Sequence, residues 1–205
     1  MAFNIKSYYG NNKQTIITVA IIIAALSGLY FLAKKFVFTT FDDFINVIFK
    51  NEGYFSNNKD DTGGATLYGL SAVYNPEYSS KILSKTLTQS DAKSIYKKKY
   101  YDPLHIGLIN NAKLRFSVFD MAVNAGVSTG VKLLQKIIGV TQDGNLTSSQ
   151  VTRVNQLDEA GYDVLGKYKQ ARKEHYSAII ARKPSQEQFR KGWMNRVDSD
   201  AKLFA

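Results

Sequence analysis

From Phe41 to Val197 apolar residues recur at helical spacing, with one interruption. Over Phe55–Leu70 the chain turns to Asn, Asp, Thr and Gly, which is turn or short-hairpin chemistry. One polar insert in a helical pattern leaves few architectures. The chain should be all-α with a small β-hairpin or loop insert after its first helix.

The helices can be placed individually. Thr40 caps the first, with Asp42 and Asp43 favourable in its first turn. Phe41, Phe44, Ile45, Ile48 and Phe49 form one buried face. Gly53 is its stop signal, so Glu52 ends the helix. Thr88 with Asp91 starts a second, turning Ala92, Ile95, Tyr96 and Tyr100 inward until Pro103 stops it. Ala112–Ala125 is apolar almost all round and should be the central helix, ended at Gly126. Ser128 is the expected cap of the next, with Leu133, Leu134, Ile137 and Ile138 inside and Gly139 closing it. Asp143-Gly144 makes a turn. Further helices are expected at Ser148–Leu157, Gly161–Arg182 and Ser185–Phe204, with Arg172 and Lys173 on a wet face. Lys97-Lys98-Lys99 also reads as a solvated face.

The first forty residues differ. Ile16–Leu32 carries no charge and, with Thr15 and Ala33, approaches the roughly twenty residues a bilayer needs. Ala25-Leu26-Ser27 is a passable signal-peptide cleavage site, but cutting there would strand Leu29-Tyr30-Phe31-Leu32 as an apolar stub. An uncleaved single-pass anchor through residues 15–33 fits better. Lysines flank it on both sides, so charge does not set its orientation. The chain thus divides into a tail and anchor, 1–39, and one domain, 40–205.

The 205 residues hold no Cys and two His, which removes disulfides, thiolate sites and histidine-rich metal centres. No cofactor is expected. The net charge of +10 favours polyanions. No nucleic-acid motif accompanies it, so the partners expected are an anionic wall or membrane surface.

Within the insert, Glu52, Asp61 and Thr66 stand out. Glycoside cleavage needs a proton for the leaving oxygen and a second group to stabilise an oxocarbenium-like centre or direct water. Glu52 sits at the negative end of a helix dipole with Phe49, Tyr54, Phe55 and Tyr68 close in sequence, which should keep its carboxyl protonated. Asp61 lies in polar loop and should be ionised. Thr66 is placed to hold water or orient Asp61. Gly63, Gly64 and Gly69 let backbone approach a sugar.

These residues are carried by a wider resemblance. Glu52-Gly53 and Asp61-Thr62-Gly63-Gly64-Ala65-Thr66-Leu67-Tyr68-Gly69 resemble the Glu-Gly-Gly-Tyr and Asp-x-Gly-Gly-x-Thr-x-x-Gly signature of glycoside hydrolase family 108. Ile95-Tyr96, Tyr100-Tyr101-Asp102 and Phe119-Asp120-Met121-Ala122-Val123-Asn124-Ala125-Gly126 are similar to further motifs of that family. Leu134-Gln135, Gly139-Val140, Asp143-Gly144 and Gly192-Trp193-Met194-Asn195-Arg196-Val197 resemble its peptidoglycan-associated half, here about 127–205. Two departures stand out. Tyr54 and Phe55 replace the second Gly and the Tyr, and Asn145-Leu146-Thr147 replaces a Gly-Pro after Asp143-Gly144.

The resemblance implies a lysozyme-like fold and hydrolysis of β-1,4 bonds in peptidoglycan glycan strands. It implies Glu52 as catalytic acid, Asp61 and Thr66 as its partners, and Tyr68, Tyr101 and Asn124 as substrate contacts. With the anchor it points to a bacteriophage lytic enzyme, in the host inner membrane facing the periplasm or in a virion membrane. The alternatives are a lytic transglycosylase, or a non-catalytic lysozyme-fold protein of a membrane-containing virion. Trp193 reads as a core residue, and His105 and His175 as surface or structural groups.

Overall fold

The computed structural model describes residues 40–56 and 64–199, with Asn51 and Glu52 by backbone alone. The expected span at 15–33, Asp61 and the last helix beyond 199 lie outside the described residues. Among the described residues no helix is long and apolar enough to cross a membrane. Residues Thr39–Ala205 form one compact unit.

Helix α1, Phe41–Glu52, begins with a reciprocal cap: the Asp43 amide donates to Thr40 Oγ1 at 3.4 Å, and the Thr40 amide donates to Asp43 Oδ2 at 2.7 Å. Its apolar stripe packs Phe44 edge-on to Phe116 at 5.3 Å and Phe41 edge-on to Phe119 at 5.8 Å. Three two-residue strands follow, β1 (Phe55–Ser56), β2 (Thr66–Leu67) and β3 (Leu70–Ser71), antiparallel in the order β1-β2-β3. The short α2, Ser79–Leu83, and α3, Gln89–Tyr96, complete the first part. Around them α4 (Ala112–Ala125), α5 (Val127–Ile138), α6 (Ser148–Glu159), α7 (Val164–Arg182) and α8 (Arg190–Asp198) build the rest.

The central position of α4 is as expected. Every residue from Leu114 to Ala122 is buried, including Arg115 and Asp120. Several boundaries differ from the sequence reading. Beyond Tyr96 the chain runs as a π-helix over Lys97–Tyr101. That wider turn shifts the inward position by one, so Tyr101 is buried and Tyr100 only half-buried. Ser128 does not cap α5. Gly126 alone joins α4 to α5, and Ser128 already lies inside the first turn. Helix α7 starts at Val164, where Asp163 accepts from the Gly166 amide at 2.8 Å. A 3-10 stretch, Pro184–Phe189, precedes α8.

The largest correction concerns Arg172. It is 1% exposed, not on a wet face. Its Nη2 donates to Asp120 Oδ2 at 2.5 Å and its Nη1 to Ser117 Oγ at 2.9 Å. Asp120 Oδ1 accepts from Arg196 Nε at 2.9 Å. One carboxylate therefore ties α4 to both α7 and α8. Lys173 does face outward, paired with Asp198 at 3.0 Å.

A second buried polar staple holds the turn before α6. Gln135 is 0% exposed. Its Nε2 donates to Asp143 Oδ1 (2.7 Å) and to the Asn145 carbonyl (2.9 Å), and its Oε1 accepts from the Gly144 amide (3.0 Å). Gly144 has φ +85, and a Cβ there would lie 2.4 Å from Ser128 Oγ, so only glycine fits. The Asn145 amide, then the Gln135 side chain, hold the Asp143 carboxyl below its ordinary range.

Two outcomes follow. Arg172→Met should lower unfolding free energy by about 3–5 kcal/mol, because Asp120 keeps a buried charge with one partner lost. The paired change Asp120→Leu with Arg172→Met should cost less than either single change, measured by urea unfolding. Gln135→Leu should cost about 1–3 kcal/mol by orphaning the Gly144 N–H. It should also flatten acid unfolding. The lowered Asp143 pKa adds stability that is present above its unfolded value of about 3.9 and is lost as pH falls through the folded value. Thermal scans against pH check both signs.

Candidate active site

The insert and the end of α1 are shaped by backbone geometry. Gly53 closes α1 with its amide donating to the Phe49 carbonyl at 3.1 Å. Its φ is +74, and a Cβ there would meet nothing within 4 Å, so conformation rather than space calls for glycine. The chain leaves the helix directly after Glu52 and enters β1 at Phe55.

The strand register sets which groups face the site. Phe55 is opposite Leu67, and Ser56 opposite Thr66, which is opposite Ser71. Leu67 is 0% exposed and points into the core, so Thr66 points away from it. Ser56, Thr66 and Ser71 therefore share one face of the sheet. The Ser71 oxygen is taken by the Val73 and Tyr74 amides, at 3.1 and 3.2 Å. The Thr66 hydroxyl has no hydrogen-bond partner among the described residues and is half-buried, which suits it to hold water.

Tyr68 is held in a costly conformation. With φ +51 beside Gly69 at +78 it forms the two-residue turn between β2 and β3. Both values are positive, as the tight hairpin turn requires. Its amide donates to the Tyr54 carbonyl at 2.8 Å, and its carbonyl accepts from the Tyr96 hydroxyl at 3.1 Å. Its ring lies 5.6 Å from Phe49 and 5.2 Å from exposed Tyr54. Aromatic surface thus gathers at the end of α1 that carries Glu52. A strained backbone held from both sides is a common mark of a working site.

The remaining expected residues separate. Asp61 and the Glu52 side chain lie outside what is described. Tyr101 is buried against Phe41 at 4.9 Å and Phe119 at 5.6 Å, so its ring fills the core. Asn124 lies exposed in the last turn of α4, its Oδ1 accepting from the Tyr176 hydroxyl at 3.0 Å. Trp193 is half-buried and stacks on Tyr176 with ring centres 4.9 Å apart.

His105 is exposed, and His175 is half-buried, its pKa lowered by burial and then by Arg182. No group of three metal-ligating side chains occurs among the described residues. Sequence reasoning passed over Tyr176. The visible signal was Asp120, the one acidic residue in the apolar stretch of the central helix, which calls for a cationic partner packed against it.

Comparison with known proteins agrees with this geometry. Residues 45–126 match the glycosyl hydrolase 108 family, and residues 129–198 match a predicted peptidoglycan domain. No curated protein matches. Among solved structures, SagA of Brucella abortus is similar, with 25% identity and a TM-score of 0.66. That match covers 80% of this chain and 92% of SagA. Residues 45–126 are thus similar to the glycosyl hydrolase 108 family, and together with the predicted peptidoglycan domain that follows they support a lysozyme-like glycoside hydrolase directed at peptidoglycan.

Proposed function

We propose that this protein is a membrane-anchored muramidase of bacteriophage origin that cleaves the β-1,4 glycosidic bonds of murein. Glu52 acts as the general acid and donates its proton to the leaving oxygen. Asp61 is the partner that stabilises the oxocarbenium-like centre in this reading. The Thr66 hydroxyl holds the attacking water, and Tyr68 and Asn124 contact the glycan. The observation that carries this reading is the register Ser56–Thr66–Ser71. It sets the Thr66 hydroxyl on the non-core face of a sheet whose first strand begins three residues after Glu52.

Removing a general acid typically costs about 100- to 10,000-fold in rate. Glu52→Gln should lose wall-clearing activity in that range with its melting temperature unchanged. Equal clearing by wild type and variant would overturn the assignment. Mass spectrometry of digested murein should show reducing ends, whereas anhydro ends would identify a transglycosylase.

The anchor rests on the uncharged run Ile16–Leu32 and on the basic balance of the chain. With it, the hydrolase domain works outside the cytoplasm, in the periplasm of the host or at a virion membrane. The full chain should stay with membranes through a carbonate wash, and a chain lacking residues 1–38 should be released. Release of the full chain would exclude a span.

A further inference from the structure

Asn124 and Tyr176 come from different family regions. Asn124 closes α4 within residues 45–126, and Tyr176 lies on α7 within residues 129–198. The phenol ring is 1% exposed, yet its hydroxyl reaches an exposed carboxamide. The other partner of that hydroxyl is Met121 Sδ at 3.5 Å, a weak acceptor. The Asn124 oxygen is therefore the partner that satisfies a buried phenol. Burial raises the Tyr176 pKa, so the phenol keeps its proton and remains a donor. With Oδ1 occupied, the Asn124 carboxamide is fixed in one orientation. Its Nδ2 has no hydrogen-bond acceptor among the described residues.

The support behind Tyr176 is rigid. Trp193 of α8 stacks on its ring with planes 17° apart, and Phe189 lies 5.8 Å from Trp193. Arg172, one helical turn before Tyr176, and Arg196 both clamp Asp120, one turn before Asn124. The helices on each side of the contact are locked to one another.

We propose that Tyr176 is a positioning residue for substrate recognition: it sets the Asn124 amide N–H toward the glycan, where it donates to the acetamido carbonyl of an N-acetylated sugar. This rests on the muramidase reading and adds to it the group recognised and the part of the chain that controls recognition. A carboxamide N–H matches an acetamido oxygen and has no equivalent partner on a free 2-amino sugar, whose ammonium repels further donors. Specificity for acetylated glycan would then arise from an orphaned donor when the acetyl group is missing.

The test uses the full chain in detergent, carrying Glu52→Gln to prevent turnover. Binding of an N-acetylglucosamine tetramer and of its de-acetylated counterpart is measured by calorimetry. Asn124→Asp retains the acceptor for Tyr176 and loses the donor. Tyr176→Phe retains the ring and loses the lock. Each should weaken binding of the acetylated tetramer about five- to tenfold, the worth of one hydrogen bond, and leave the de-acetylated one unchanged. The double variant should bind no worse than Asn124→Asp alone, because both changes remove the same contact.

Unchanged binding in Asn124→Asp overturns the proposal, as does equal loss for both tetramers or additivity in the double variant. Should Tyr176→Phe fail to fold, the comparison of Asn124→Asp on the two tetramers decides alone. A parent chain that binds neither tetramer overturns the proposal, and loss of wall clearing in the protein with Glu52 intact overturns the muramidase reading separately.

Discussion

Asp120 holds the molecule together at the point where its two family regions meet. It lies on the central helix, inside the first region, while its partners Arg172 and Arg196 belong to the second. Burying a carboxylate and two guanidinium groups carries a heavy desolvation cost, so such a triad adds little net stability over a hydrophobic substitute. What it adds here is definition. Apolar faces of α7 and α8 would slide on α4 with small penalties, whereas a fork of charged hydrogen bonds admits one register. The Tyr168 hydroxyl, donating to the Gly130 carbonyl at 2.9 Å, fixes α7 to α5 in the same way. The two regions share one core.

That joint explains which parts of the fold were readable in advance. Helix α1 was legible because its cap, apolar stripe and stop signal all agree: Thr40, then Phe41 to Phe49, then Gly53. Helix α4 was legible by its lack of a polar face. The boundaries that shifted depend on contacts distant in sequence. No local pattern distinguishes an α turn from the π turn at Lys97–Tyr101, which brings Tyr101 rather than Tyr100 under α1. Arg172 sits among lysines and polar residues and carries no local mark of burial. Only Asp120, fifty-two residues away, makes it a core residue. At the candidate site, the gathering of Phe49, Tyr54 and Tyr68 was readable from their closeness in sequence to the end of α1. Tyr176 was not, because its role depends on one oxygen across a helix junction.

The departures from the family pattern are absorbed by local chemistry. A glycine after Gly53 would leave the chain free as it exits α1. Tyr54 instead lays its ring against Tyr68, and its carbonyl takes the Tyr68 amide. The bulk added at one turn thus braces the strained residue of the other. Where a Gly-Pro would open α6, Thr147 builds a full capping box with Gln150, its hydroxyl accepting from the Gln150 amide at 3.3 Å. Leu146 is buried in the preceding turn. Gln150 Oε1 also accepts from the buried Gln135 amide at 3.3 Å, so the replacement connects the helix start to the core.

These observations bear on how a lysozyme-type site can work at the edge of so small a sheet. Three strands of two residues cannot hold a catalytic geometry by themselves, since short hairpins are marginally stable in water. Here the β2–β3 turn is held from outside on two sides. The Tyr96 hydroxyl fixes the β2–β3 turn from α3, and the Phe49 ring backs Tyr68 from α1. Both helices also pack on the core formed around α4, whose own orientation depends on Asp120. The order of the sheet is thus borrowed from helices, and the helices take their register from buried charge. A change at Arg172 or Arg196 should therefore loosen the β2–β3 turn without removing any contact that the turn itself makes.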